Sequence, residues 1–332
     1  MTAQFNRYFS PDYAAARQRF VAAAQERGAA RYALPIDARG PDASPLTIDI
    51  AWIGTARPRR VLVHSSGLHG VEGFAGSAIQ LALLAEDLAV PDDGGLVLVH
   101  VLNPFGMAWL RRVNESNVDL NRNFSAAQPG RDAAPELYRR LDPILNPASP
   151  PSFDFFYLRA AWQVMRHGLK PLRQAIAGGQ YAYPKGLFYG GQRLEQGPSR
   201  YLAWIRQHLG AVQTGAATDV HTGLGRWRQE SLDGVYEVRG GYGNVFETLE
   251  QGPRIDTTTQ EFGTYPSLRV LSALREENRW HHYGGGSIDH PAKARLKEAF
   301  APRSKSWRAF VVKRGLSLAK ASAARVFSRA SS

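Results

Sequence analysis

Apolar positions along the 332-residue chain form two kinds of run. Residues 60–66, 94–102 and 216–220 are short and almost continuously apolar. Runs of that kind read as strands buried on both faces of a sheet. Other stretches space their apolar residues at helical intervals. Residues 73–88 do so with Phe74, Ile79, Leu81, Leu83, Leu84 and Leu88. Ser10-Pro11-Asp12 opens a helix predicted to run to about Arg27, with Ser10 as N-cap and Pro11 in the first turn. Further helices are predicted over 153–176, broken between Gly168 and Pro171, over 201–209 and over 267–280. The proline-rich stretch 145–151 is a loop. Strands that alternate with helices predict an α/β fold: a mixed, largely parallel twisted sheet flanked by helices. No internal repeat is visible.

Histidines and acids stand where such a fold places its ligands, outside the carboxyl ends of the strands. His69 follows the first apolar run, with Glu72 three residues on. His221 directly follows the third run. Two imidazoles and a carboxylate suit a catalytic Zn²⁺ with one position left for water. The spacing of three puts His69 and Glu72 on one side of a turn, and only a folded domain brings in His221. Between them lies Asp119-Leu120-Asn121-Arg122-Asn123-Phe124, whose Asn and Arg suit a substrate carboxylate.

These pieces resemble the zinc carboxypeptidases of the carboxypeptidase A type, in a divergent bacterial branch. The matching runs are H-G-V-E-G at 69–73, N-P-F-G at 103–106, R-x-N at 112–114, D-L-N-R-N-F at 119–124 and D-x-H-T-G at 219–223, in the family's order. The resemblance covers roughly 45–275. It implies one zinc per chain on His69, Glu72 and His221. It implies that Asn121 and Arg122 bind the substrate's terminal carboxylate and that Arg112 stabilises an oxyanion. The family's late glutamate, the general base, matches Glu261 best, with Glu247 and Glu250 as alternatives. The family's mobile tyrosine matches Tyr236, Tyr242 or Tyr265. Phe105 stands where the family usually has Asp, which alters packing. The implied activity is hydrolysis of an amide or peptide bond beside a free carboxylate. Removal of an acyl group from an amino acid, as in aspartoacylase-type enzymes, uses a similar H-x-x-E…H set. A third reading is a polyanion- or membrane-binding protein with a vestigial zinc site.

Composition narrows the frame. With no cysteine, disulfides and thiolate metal sites are excluded. The first residues show no basic segment followed by an apolar one, and no run approaches the eighteen or so apolar residues of a spanning helix. A cytoplasmic location is expected. The net charge is +12, of which +8 falls in residues 302–332, where no acid occurs. That segment is expected to be a basic tail, beside a catalytic domain over 1–301, and to make weak contact with anionic surfaces. No specific nucleic-acid partner is expected. The expected partner is a peptide or acylated amino acid with a free carboxylate. His64 and His100, inside apolar runs, are expected in the core, and His281-His282 on the surface after a helix. The glycine- and aromatic-rich stretch 178–191 either lines the cleft or serves turns.

Overall fold

The computed structural model describes residues 2–124, 133–233, 240–246 and 254–328. Its strands are β1 (Ala30–Arg39), β2 (Pro45–Gly54), β3 (Arg60–Ser66), β4 (Gly94–His100), β5 (Thr214–Thr222), β6 (Glu230–Leu232) and β7 (Arg254–Phe262). Its helices are α1 (Thr2–Asn6), α2 (Tyr13–Glu26), α3 (Gly73–Ala85), α4 (Pro104–Ala108), α5 (Glu136–Leu145), α6 (Phe156–His167), α7 (Leu169–Ala177), α8 (Gln196–Leu209), α9 (Ser267–Tyr283), α10 (Pro291–Phe300) and α11 (Lys305–Phe327). The sheet order is β1-β2-β4-β3-β5-β7-β6. The four central strands, β4-β3-β5-β7, run parallel. β1, β2 and β6 add antiparallel edges. This is the mixed sheet expected from the apolar runs.

Alternation within the central strands feeds two cores. Val61, Val63, Val97 and Val99 face one side, where Tyr201, Leu202 and Ile205 of α8 cover them. Leu62, Leu96, Leu98 and Val220 face the other, covered by α3 and α11. Period-two side-chain direction makes both faces apolar, so neither is solvated.

Element boundaries differ from the sequence expectations for local reasons. α2 starts at Tyr13, and its cap is Asp12, whose Oδ1 accepts the Ala15 N–H at 2.8 Å. Ser10 is occupied instead, accepting from Arg19 Nη1 at 2.9 Å. The helical stretch expected over 153–176 begins later, at Phe156, and its expected interruption falls at Gly168, where φ is +76°. β1 and β2 were not expected. The basic segment set apart as a tail is, over 305–327, helix α11, with Trp307, Val311, Val312, Leu316, Ala319, Ala323 and Val326 buried. Apolar burial against α3 and the sheet holds it in place.

His64 and His100 lie in the core as expected. His64 Nδ1 meets Gln80 Nε2 at 3.4 Å, and His100 Nε2 meets Ser77 Oγ at 3.0 Å. Phe105 packs among Phe74, Val101 and Met107. No helix among the described residues is long and apolar enough to cross a membrane.

Candidate metal centre

The chain leaves β3 toward β4 on one side and, later, toward β5 on the other. The site lies where those two directions part, at the carboxyl ends of β3 and β5. His69 follows β3, and residues 70–72 form a single 3₁₀ turn that sets Glu72 beside it. The turn is braced from the N-P-F-G and R-x-N segments. Gly70 and Val71 donate their N–H groups to the carbonyls of Arg112 and Arg111 at 3.0 and 2.9 Å. Gly70 lies so close to the Gly106 backbone that a Cβ would sit 2.1 Å from its carbonyl carbon. The glycines of both motifs permit that approach.

His221 belongs to β5, and its register partner on β7 is Glu261. Adjacent parallel strands thus bring the third ligand and the late glutamate to one mouth, a pairing that sequence separation alone hides.

His69, Glu72 and His221 are buried, and one donor atom from each lies within 4.8 Å of the others. The two Nδ1 atoms are 3.1 Å apart. Glu72 Oε1 is 3.0 Å from His69 Nδ1, and Oε2 is 3.3 Å from His221 Nδ1. Tetrahedral zinc with bonds of about 2.0–2.1 Å separates its ligand atoms by roughly 3.3 Å. The donor set therefore fits the ion in type, number and spacing. Among the described residues no other histidine–carboxylate group does so, and His281 and His282 form none.

Each imidazole has a carboxylate at its far nitrogen. Asp119 Oδ1 is 3.0 Å from His69 Nε2, and Asp219 Oδ2 is 2.6 Å from His221 Nε2. Such partners hold the Nε2–H tautomer and leave Nδ1 free to ligate. Ser65, the register partner of Asp219, donates to its Oδ1 at 2.6 Å. Both aspartates were inside quoted motifs, two residues before a functional residue, yet only the folded contacts reveal what they do.

Arg112 enters the same network. It donates from Nη1 to Glu72 Oε1 at 2.9 Å and from Nε to Asp119 Oδ2 at 3.1 Å, and its Nη2 lies 2.8 Å from His69 Nε2. Arg122 is buried, with Nη1 2.7 Å from Asp119 Oδ2 and Nη2 donating to the Ala177 carbonyl. Asn121 Oδ1 accepts the Tyr242 N–H at 3.0 Å. Glu261 accepts the Leu224 N–H at 2.8 Å.

The charges explain one another. Burial pushes the Asp119 carboxyl up, but Arg122, Arg112 and His69 outweigh it and hold the group well below the usual range. Burial likewise opposes ionisation of Glu72, and His69, His221 and Arg112 overcome it. Burial disfavours protonated His221, but Asp219 and then Glu72 raise it well above its ordinary value. Glu261 is pushed up to about 8 by burial and by the nearby Glu72 charge.

All seven residues expected at the site line or adjoin one cleft of about 420 Å³; His69, Glu72, Arg112, Asn121, Arg122, His221 and Glu261 form part of its wall. Phe188 and Ala177 line it too, so the 178–191 stretch contributes to the cleft. The Phe188 ring lies 5.2 Å from the Arg112 guanidinium carbon and 5.4 Å from that of Arg122. Tyr242 lines the cleft with its hydroxyl 3.1 Å from Tyr201 OH, whereas Tyr265 donates to Glu298 Oε1 at 2.7 Å. Tyr236, Glu247 and Glu250 lie outside the described residues.

A family model described as "Protein of unknown function (DUF2817)" matches residues 9–233 and 228–314. The chain belongs to that family. No curated protein matches it. Solved structures similar to this family member include the carboxypeptidase A of Helicoverpa armigera, 14% identical over 89% of this chain and 75% of that one, TM-score 0.44. Another is the murein-tripeptide amidase MpaA of Escherichia coli O157, 17% identical over 77% and 96%, TM-score 0.36. A third is bovine thrombin-activatable fibrinolysis inhibitor in complex with tick carboxypeptidase inhibitor, 9% identical over 93% and 98%, TM-score 0.43. At such identities a likeness is at most one of fold.

Proposed function

We propose that the protein is a zinc-dependent hydrolase that cleaves an amide or peptide bond next to a free carboxylate. The observation that carries this reading is the convergence of His69 Nδ1, His221 Nδ1 and the Glu72 carboxylate at zinc-ligand spacing, in one cleft with Glu261 and two arginines. A bound zinc ion supplies Lewis acidity and brings the pKa of water down to roughly 7.

The chain's own groups do the rest. Asp119 and Asp219 keep the two Nδ1 lone pairs directed inward. With Nε2 of His69 protonated toward Asp119, Arg112 loses that nitrogen as an acceptor. Its Nη2 is then available to the oxygen that gains charge in the transition state. Glu261 takes the proton of the attacking water and passes it to the leaving amine. Arg122 and Asn121 bind the substrate's acid end, and Asp119 holds the Arg122 fork in place.

The test is metal analysis of purified protein combined with hydrolysis of matched substrates, peptides and N-acyl amino acids, as free acids and as amides. One zinc per chain is expected, lost in His221→Ala, with free acids strongly preferred. Zinc undiminished in His221→Ala overturns the ligand assignment. Equal rates on free and amidated substrates overturn the carboxylate assignment.

A further inference from the structure

We propose that the substrate is an amide whose acyl part is a medium-length alkyl chain, held in an apolar groove that opens off the metal cleft. This rests on the reading of the site as an amide hydrolase and names its substrate class.

The groove lies between α5, the α6–α7 pair and α9 and has a volume of about 230 Å³. Leu141, Val164, Leu172, Leu268 and Leu271 are among its walls, and its polar side chains are those of Gln163, Arg173 and Ser267. It adjoins the metal cleft: Ala177, Phe188, Leu224, Val270 and Leu274 line both. Three of those shared residues touch the proposed machinery. Phe188 faces both arginines, the Ala177 carbonyl receives Arg122, and the Leu224 N–H is bonded to Glu261. In this proposal a ligand at the zinc position extends past Phe188 into a space with few side chains to hydrogen-bond. A peptide continuing there would leave most of its backbone N–H and C=O groups without partners, which is costly. A hydrocarbon chain has no such groups.

The outer face of the same hairpin agrees with this. α6 buries Phe156 alone, while Leu158, Trp162 and Met165 stand exposed, Met165 at 74%. Arg159, Arg166 and Lys170 stand among them. An apolar, basic surface on the helix that walls an apolar groove is where an amphiphile with a negative head first lands.

Size sets the chain length. A dry cavity of about 150 Å³ holds a benzene ring, so this groove has room for roughly nine carbons. In the reaction the acyl carbon–nitrogen bond breaks. Water supplies hydroxyl to the carbonyl carbon and a proton to the nitrogen, which gives a fatty acid and a free amino acid.

The experiment compares N-acetyl, N-hexanoyl and N-decanoyl derivatives of glycine, phenylalanine, lysine and glutamate, below micelle-forming concentrations, with zinc-loaded full-length protein. Burying one methylene is worth about 0.8 kcal/mol, near fourfold. A twofold gain for each of the eight added methylenes already gives a decanoyl-to-acetyl ratio in kcat/KM of roughly 250. Val164→Trp and Ala160→Phe, each filling the groove from α6, should each lower that ratio at least tenfold. A ratio near one, or one unmoved by both variants, overturns the proposal while leaving the hydrolase reading intact. Calorimetry of N-decanoylglycine against N-acetylglycine on Glu261→Gln protein separates the two readings. Chain-dependent binding with no turnover of any substrate by the unmodified protein supports the groove and overturns the hydrolase. Binding that does not depend on chain length overturns the groove.

Discussion

Gly179 carries little chemistry, yet it decides where Arg122 can lie. Its φ is +90°, and an added Cβ would sit 2.4 Å from both Cδ and Nε of Arg122. Arg122 cannot retreat easily, because Asp119 and the Ala177 carbonyl hold its fork. Gly179→Ala should therefore weaken binding of free-acid substrates, raising KM about tenfold or more, with zinc content unchanged; steady-state kinetics with metal analysis checks this. Glu261→Gln should act on the other parameter. The amide keeps an oxygen for the Leu224 N–H but cannot accept the proton, so kcat should fall about 10²–10⁴-fold with zinc retained. A near-normal kcat would move the base elsewhere. At this scale the sequence was readable where residue type carries the chemistry, as in His69, Glu72 and His221. It was silent where a neighbour confers the role. Asp119 matters because Arg112, Arg122 and His69 all surround it, and that crowding exists only once residues 69–122 are folded together.

Among the elements, β3, β4 and β5 were legible because burial on both faces makes a strand apolar throughout. β1 was not, since it is an edge strand, half exposed and carrying Pro35. β2 hides its burial behind Thr47 and Asp49, which are paired with Arg17 at 2.7 Å each. α11 was masked by charge. Its lysines and arginines dominate the composition, while Trp307, Val311, Leu316, Ala319, Ala323 and Val326 form a stripe at spacings of three to five. Trp307 is fully buried and donates its indole N–H to the Gly263 carbonyl at 2.9 Å. Trp307→Ala should cost about 3–5 kcal/mol in denaturant unfolding. Lys313→Ala, on the exposed side of the same helix, should change stability by no more than about 0.5 kcal/mol. Equal, small losses in both would mean that α11 contributes little to the core.

Over the whole molecule, the +12 charge is less one-sided than composition suggests, because α11 sends Arg314 to Glu230, Lys320 to Glu86 and Arg325 to Asp256. Acid should unfold the protein for a different reason. His64 and His100 are buried neutral, and burial lowers them to about 4 and about 3 from 6.5. The unfolded chain takes up protons below about pH 6.5 that the folded chain refuses. Their contribution is thus fully present above pH 6.5 and is lost as pH falls toward 4, on the order of 3 kcal/mol for each. Unfolding free energy measured from pH 7.5 to 4.5 should fall with that slope, and His64→Asn with His100→Gln should flatten it, whatever their effect at pH 7.5. An unchanged slope would place the acid sensitivity elsewhere. The position of α11 has a temporal consequence. β7 closes the parallel core at Phe262, but the helix that roofs one side of it ends at Phe327. A ribosome adding about 5–20 residues per second needs roughly 3–13 seconds for the intervening stretch. During that interval the nascent chain shows Leu62, Ala216 and Val220 to water, and it is then that a chaperone would find it.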